Sequence, residues 1–307
     1  MFRGICKLSH LLIVDDDESF SRQLGKALKK SGFEVGILTT GVGVVDLLKK
    51  EPIKVVILDV MLPKMSGFEI CREIRKDREI YHIGIMLVSV MGDREEIEHG
   101  YAQGCDDFIP KPINFHDFLT RLKSLVSLVE NEKLIEPLTT LGSGRYIRLE
   151  ILRGILLKED FDLAYIELPG LIPLHREIGN DGVVKLLRMF SFHLRSLAGN
   201  LLGRDYCLAH LGGGHFIAKI RSKSLQDFAR ELKNSWENTV FQSEALASLI
   251  TDKNYATTVS LLGITTCGFT YYPNKGDSIG RVLERLRDLH SKCKMHSNGI
   301  LVDRRSH

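Results

Sequence analysis

The sequence predicts two domains joined by a helix: a doubly wound α/β domain with a five-stranded parallel sheet, followed by an α+β domain. Over the first 130 residues or so, five short apolar runs alternate with amphipathic stretches, and the total length of 307 residues suits two domains. The composition is 44% hydrophobic and 26% charged, which excludes a disordered chain. The net charge of +3 lacks the basic surplus of a dedicated nucleic-acid binder.

The elements of the first domain follow one another as strand and helix. Each strand is apolar on both faces, as in a parallel sheet that is covered on both sides. Each helix is indicated by apolar residues three or four positions apart. The predicted strands cover residues 10–14, 34–38, 55–59 and 84–90, and residues 106–112 form a short strand and a turn. The first predicted helix has apolar positions from Phe20 to Leu28 and ends at Ser31 and Gly32, and the other helices cover residues 44–50, 67–76, 93–104 and 115–134.

Charged residues stand where the first, third and fifth strands end. Asp15 and Asp16 follow the first strand, Asp59 ends the third, and Lys111 follows the fifth. In such sheets the functional site lies beyond the carboxyl ends of the strands. Gathered carboxylates repel one another and need a cation, and an all-oxygen ligand set suits Mg²⁺. A carboxylate beside a metal and a lysine is also a ready phosphoryl acceptor.

Four stretches of residues 9–128 resemble the receiver domain of two-component response regulators, which has a flavodoxin-like fold: LLIVDDD, VVILDVMLPKMSG, LVSV and DDFIPKP. The resemblance implies that Asp59 is the phosphoacceptor and that a sensor histidine kinase is the donor. It implies an Mg²⁺ site made by Asp16, Asp59 and the backbone carbonyl of Met61, with Asp15 acting through water. It also implies that Ser89 is the switch hydroxyl, Lys111 the phosphate-binding lysine and Phe108 the rotating aromatic residue.

Two positions depart from the commonest receiver pattern. Val90 stands where a small residue is usual, which predicts a narrower phosphoryl pocket. Met61 stands where a polar side chain can orient the hydrolytic water. A thioether cannot do so, and we therefore expect a long-lived phosphorylated state.

The helix that starts at Phe115 has apolar positions that continue past the usual end of a receiver, which predicts a helical linker over residues 115–136. One interpretation is a short coiled coil that makes a homodimer through Leu125 and Val129. The alternative is that the helix packs only on its own two domains.

The second half resembles the GGDEF domain, the diguanylate cyclase fold of the nucleotidyl cyclase type, over residues 137–303. LTTLGSGR is similar to the entry motif of that family, and TCGFTYYP is similar to its later strand. The hairpin HLGGGHF stands in place of the signature, at Gly212, Gly213, Gly214, His215 and Phe216. We also predict a long helix from about Leu174 to Leu202.

The positions that carry the cyclase chemistry are altered. The two acids of the signature are Gly214 and His215, and the first metal-binding acid aligns with Glu167. The guanine-reading positions hold His175 and Val184, and Lys294 remains at a phosphate-contacting position. Because two-metal catalysis needs several carboxylates, we expect no cyclase activity. An active cyclase is the third interpretation, and a DNA-binding regulator is the fourth.

The resulting hypothesis is a signalling protein in which the receiver is phosphorylated and the second domain transmits the change to an unknown downstream protein. The alternative is that the second domain senses GTP or a cyclic dinucleotide. We expect a homodimer that does not bind DNA. We also expect a cytoplasmic protein that does not bind a membrane, since no apolar run is long enough to span a bilayer. The cysteines form no C-x-x-C pair, which argues against a zinc site or a disulfide framework.

Overall fold

The computed structural model describes residues 10–90, 92–131, 134–242, 262–273, 278–293 and 299–303. The chain divides into two compact units, one that ends at residue 133 and one that begins at residue 134. Each unit is built around a five-stranded sheet. Among the described residues, no helix combines the length and the apolar character needed to cross a membrane.

The first unit alternates strands and helices along the chain. Its strands are β1 (His10–Val14), β2 (Glu34–Leu38), β3 (Val55–Asp59), β4 (Gly84–Ser89) and β5 (Asp107–Pro110). Its helices are α1 (Glu18–Lys30), α2 (Val44–Lys50), α3 (Gly67–Lys76), α4 (Arg94–Gln103) and α5 (Phe115–Asn131). All strand pairs are parallel, in the order β2-β1-β3-β4-β5, which confirms the predicted sheet.

Helices cover both faces of this sheet, so β3 and β4 are buried along their whole length. The strand order changes direction between β1 and β3, and this opens a crevice beyond their carboxyl ends. Side-chain caps fix the starts of the helices on that side. Asp17 accepts hydrogen bonds from the first turn of α1, Ser66 forms a capping box with Glu69 on α3, and Asp93 caps α4.

Helix α5 packs on its own sheet. A Cβ atom placed at Gly84 on β4 would lie 2.9 Å from Val129 and 3.2 Å from the Leu125 side chain. The prediction that Leu125 contacts a second copy is wrong, because Leu125 is buried in the receiver core and Val129 packs beside it. The helix ends at Asn131, short of residue 136, and Ile135 forms an isolated bridge with Gly142.

The second unit is a mixed α/β domain. Its strands are β6 (Phe161–Glu167), β7 (Tyr206–Gly212), β8 (His215–Arg221), β9 (Thr265–Tyr271) and β10 (Ile300–Asp303). Among the described residues, its helices are α6 (Gly144–Leu157), α7 (Leu171–Leu202), α8 (Leu225–Gln242) and α9 (Ile279–Cys293). The sheet order is β10-β9-β6-β8-β7; β10 runs parallel to β9, and the other neighbours are antiparallel.

Two apolar clusters lie on the two faces of this sheet. One packs α7 and α8 around the fully buried Trp236, whose indole N–H donates to the Leu262 carbonyl at 2.9 Å. The other packs α6 and α9 against the opposite face. Helix α7 is not continuous, because Gly179 has φ 64° and ψ −176°, so the predicted long helix is interrupted near its start.

Candidate phosphorylation site

Three carboxylates meet at the carboxyl ends of β1 and β3. Leu58 pairs with Val14, so Asp59 and Asp15 are the next positions on neighbouring strands. Oxygen atoms of Asp15, Asp16 and Asp59 all lie within 4.8 Å of one another. Asp15 and Asp59 are buried, whereas Asp16 is exposed. The cluster therefore has two fixed carboxylates on its floor and one at the solvent edge.

Lys111 bridges the two buried carboxylates. Its Nζ lies 2.8 Å from Asp15 Oδ2 and 2.8 Å from Asp59 Oδ1. A cis peptide bond joins Lys111 to Pro112, and the backbone N–H of Lys111 donates to the Ser89 carbonyl at 2.6 Å. Burial alone would lower the pKa of Lys111, but the hydrogen bonds to Asp15 and Asp59 outweigh it and raise that pKa. Lys111 is thus held as a cation.

Backbone amides hold the other oxygens of the same carboxylates. The Met61 N–H donates to Asp59 Oδ2 at 2.8 Å, and the Asp17 N–H donates to Asp15 Oδ1 at 2.9 Å. Burial raises the pKa of Asp15, and the hydrogen bond from Lys111 offsets part of that rise. Each buried carboxylate is therefore oriented through both of its oxygens, and lone pairs remain for a metal.

The donor set fits magnesium. All three side chains offer oxygen, and Mg²⁺ binds through a few carboxylates while it keeps several waters. Three carboxylates and one ammonium group carry a formal charge of −2, which one divalent cation balances. Asp15, Asp16 and Asp59 therefore form a magnesium site.

Ser89 lies at the end of β4, next to this cluster, and is fully buried. Its hydroxyl donates to Glu96 Oε1 at 3.1 Å. Sequence reasoning missed Glu96, because no motif marks it. The only signal is its spacing: Glu96 lies four positions before Gly100 on α4, which places both on the same buried face of the helix. Phe108 is buried against Gly100, so its ring points into the domain.

The two departures from the receiver pattern lie at the surface. Met61 is 58% exposed, so its thioether stands at the mouth of the acidic cluster. Val90 is 67% exposed and follows β4 directly after Ser89, and the prediction that it narrows the phosphoryl pocket stays a prediction.

In the second unit, Glu167 and His215, two of the positions that were compared with cyclase residues, lie close together. Glu167 ends β6 directly opposite His215 on β8, and Glu167 Oε2 lies 2.5 Å from His290 Nε2 on α9. The Tyr165 hydroxyl lies 3.0 Å from His215 Nδ1. His290 was not foreseen, since 123 residues separate it from Glu167. Lys294 lies outside the described residues.

The glycine hairpin leaves no room for a side chain at position 214. Gly212 and Gly213 have φ of 101° and 54°, and Phe216 is buried. A Cβ atom placed at Gly214 would lie 2.6 Å from the Leu168 carbonyl oxygen, whereas the Leu168 N–H donates to the Gly214 carbonyl at 2.9 Å. The backbone just after β6 therefore occupies the space that a side chain at position 214 would need.

Residues 11–123 match the family described as the response regulator receiver domain. The chain is 32% identical over 143 residues to a probable transcriptional regulator, ycf27, of Cyanophora paradoxa, covering 47% of this chain and 57% of that protein. It is 34% identical over 119 residues to a CpxR-homologous transcriptional regulatory protein of Haemophilus influenzae, covering 39% of this chain and 51% of that protein.

A crystal structure of a CheY-like response regulator receiver domain protein from Methanospirillum hungatei is 28% identical. The alignment covers 41% of this chain and 100% of the Methanospirillum chain, with a TM-score of 0.39. The chain spans about half the length of the two curated relatives named above.

Proposed function

We propose that this protein, whose residues 11–123 are a response regulator receiver domain, is a phosphorylation-dependent signalling protein with a non-catalytic second domain. The observation that carries the proposal is the contact of Lys111 Nζ with both Asp15 and Asp59 at 2.8 Å, inside a cluster of three carboxylates. The phosphoacceptor is Asp59, and the phosphoryl donor is a sensor histidine kinase.

The chemistry follows from the position of Asp59. One carboxylate oxygen attacks the phosphorus of a phosphohistidine, a P–O bond forms, and the P–N bond breaks. The imidazole nitrogen leaves with the bonding electron pair and takes a proton from solvent. Lys111 contacts Asp59 and supplies a positive charge close to the transferred oxygens. When bound, Mg²⁺ adds positive charge that offsets the charge on those oxygens.

A small phosphodonor with Mg²⁺ tests this step without the kinase. We expect one added phosphoryl group in the intact mass of the wild type and none in Asp59→Asn. Asp17→Asn is the matched control, because Asp17 lies in the same loop but caps α1, and asparagine caps a helix equally well. Equal labelling of wild type and Asp59→Asn would contradict the assignment.

For the second unit we propose a degenerate GGDEF-like domain that acts by binding another protein. Gly214 has no ligand atom, its backbone packs on Leu168, and Glu167 is engaged by His290. These features oppose two-metal catalysis. We expect no cyclic diguanylate from GTP, with or without phosphodonor, in a chromatographic assay. Product that disappears in Glu167→Gln would overturn this part of the proposal.

The two curated relatives are named as transcriptional regulators, whereas we propose that this chain does not bind DNA. Leu186, Leu187 and Phe190 of α7 are buried in the core, so this face of the helix is not available to a DNA groove. Sensing of GTP or a cyclic dinucleotide stays the alternative, and calorimetry with each ligand tests it. The homodimer also stays a prediction, and its interface must use residues other than Leu125.

A further inference from the structure

A buried acid that the phosphotransfer chemistry does not use lies beside the switch hydroxyl. Glu96 on α4 and Ser89 at the end of β4 are both buried, and Ser89 Oγ lies 3.1 Å from Glu96 Oε1. A serine hydroxyl has one proton to donate. While that proton is given to Glu96, the hydroxyl has none to give to a phosphoryl oxygen on Asp59.

The backbone of Ser89 is fixed by its neighbours. Its carbonyl accepts a hydrogen bond of 2.6 Å from the N–H of Lys111, and Ser89 pairs with Pro110 in the sheet. The hydroxyl therefore changes its partner most easily by rotation of the side chain. Such a rotation breaks the hydrogen bond to Glu96.

Glu96 is poorly placed to remain an anion after phosphorylation. Its Oε2 is buried without a hydrogen-bond partner among the described residues. Burial raises the pKa of Glu96, and the negative charges of Asp93 and Asp59 add to that rise. The hydrogen bond from Ser89 and the nearby His99 act in the opposite direction. Phosphorylation replaces the single negative charge of the Asp59 carboxylate by the charge of about −1.5 to −2 of an acyl phosphate, and this increase in negative charge favours proton uptake by Glu96.

We infer that Glu96 is a positioning residue that holds the Ser89 hydroxyl away from the phosphoacceptor until Asp59 is phosphorylated. This inference rests on the proposed phosphorylation of Asp59. Among the described residues, the Glu96 side chain is hydrogen-bonded to Ser89 and not to Asp15, Asp16 or Asp59, so it acts through Ser89. Loss of its negative charge frees the serine proton and favours the phosphorylated state.

The test is the phosphodonor concentration that labels half of the full-length protein, measured by intact mass with Mg²⁺ from pH 5.5 to pH 8.5. Glu96→Gln keeps the size of the side chain and removes its charge. We expect the half-labelling concentration of this variant to be about threefold to tenfold lower than that of the wild type near pH 8. The difference shrinks as the pH falls, because wild-type Glu96 takes up a proton.

Two controls separate this role from a structural one. Glu95→Gln removes an exposed acid from the neighbouring position of α4 and is expected to behave like the wild type at every pH. In a Ser89→Ala background, Glu96→Gln has no hydroxyl to act through, and only the direct electrostatic interaction between Glu96 and Asp59 remains, so we expect a clearly smaller change than in the Ser89 background. Circular dichroism verifies that each variant is folded.

The outcomes are distinct. Equal half-labelling of Glu96→Gln and wild type across the pH range overturns the inference, as does an effect of undiminished size in the Ser89→Ala background. Absence of any labelling of the wild type would instead contradict the proposed function.

Discussion

Arg75 is a fully charged side chain in the core of the receiver, at 1% exposure, and its replacement by methionine tests how the sheet is held. Its Nε donates to the Gly104 carbonyl at 2.7 Å, and its Nη1 donates to the carbonyls of Tyr81 and Ile83 at 2.6 and 2.7 Å. Its Nη2 donates to Asp106 Oδ2 at 2.6 Å. One guanidinium group thus ties α3 to the segments that lead into β4 and β5.

The magnitude follows from these four bonds. Arg75→Met leaves three carbonyls without this donor and Asp106 without its cation. Breaking a buried ion pair costs about 3–5 kcal/mol, and an unsatisfied buried acceptor costs about 1–3 kcal/mol. Asp106 keeps an exposed fraction of 21%, so water recovers part of the loss, and the methionine adds apolar burial. We expect the receiver to lose about 4 kcal/mol of unfolding free energy.

Urea unfolding followed by far-ultraviolet circular dichroism measures this change. The fluorescence of Trp236, the only tryptophan of the chain, reports separately on the second unit. Lys76→Met is the matched control on α3, because Lys76 is partly exposed and its ion pair with Glu73 spans 3.8 Å; we expect a cost of about 0–1 kcal/mol. If Arg75→Met lowers the unfolding free energy by less than about 1.5 kcal/mol, the buried hydrogen bonds of Arg75 do not hold the sheet as we infer.

Three further predictions concern metal, pH and the hairpin. Asp16→Asn should raise the Mg²⁺ concentration for half-maximal labelling by about tenfold, and chelation should abolish labelling; unchanged Mg²⁺ dependence would contradict the metal assignment. Burial alone would raise the pKa of Glu136, but hydrogen bonds from Thr139 and His210 lower it to about 2. Because that pKa is depressed on folding, its stabilisation is complete above pH 4.5 and is lost as the pH falls toward 2. Trp236 fluorescence in urea at each pH should show this loss in the wild type and a smaller one in Glu136→Gln; identical profiles would contradict it. Gly214→Asp should destabilise the second unit without restoring cyclase activity, because its Cβ meets the Leu168 carbonyl. An unchanged urea midpoint or a gain of cyclase activity would contradict this expectation.

The sequence predicted the parts of the site that follow from strand ends. Asp15, Asp59 and Lys111 each come directly after or at the end of an apolar run, so the topology of a parallel sheet brings them together. The partners of these residues in three dimensions were harder to foresee. Arg75 reaches Gly104 across 29 residues, and His290 reaches Glu167 across 123. Such pairs depend on how helices pack on the sheet, which periodicity does not specify.

Helix α5 shows the same limit from the apolar side. The spacing of Leu122, Leu125 and Val129 predicts a helix with one apolar face, and the helix is present. Periodicity is the same for a face that packs on its own sheet and for one that packs on a second copy. Only the contact of Leu125 and Val129 with Gly84 decides in favour of the sheet.

Localisation of the phosphoryl group tests whether Asp59 is the phosphoacceptor. The full-length protein is incubated with Mg²⁺ and a small phosphodonor and then reduced with borohydride, which converts an aspartyl phosphate to homoserine. Peptide mass spectrometry then identifies the modified position. The account predicts homoserine at residue 59 alone. Homoserine at residue 15 or 16, or no modification of a folded, Mg²⁺-loaded protein, would contradict it.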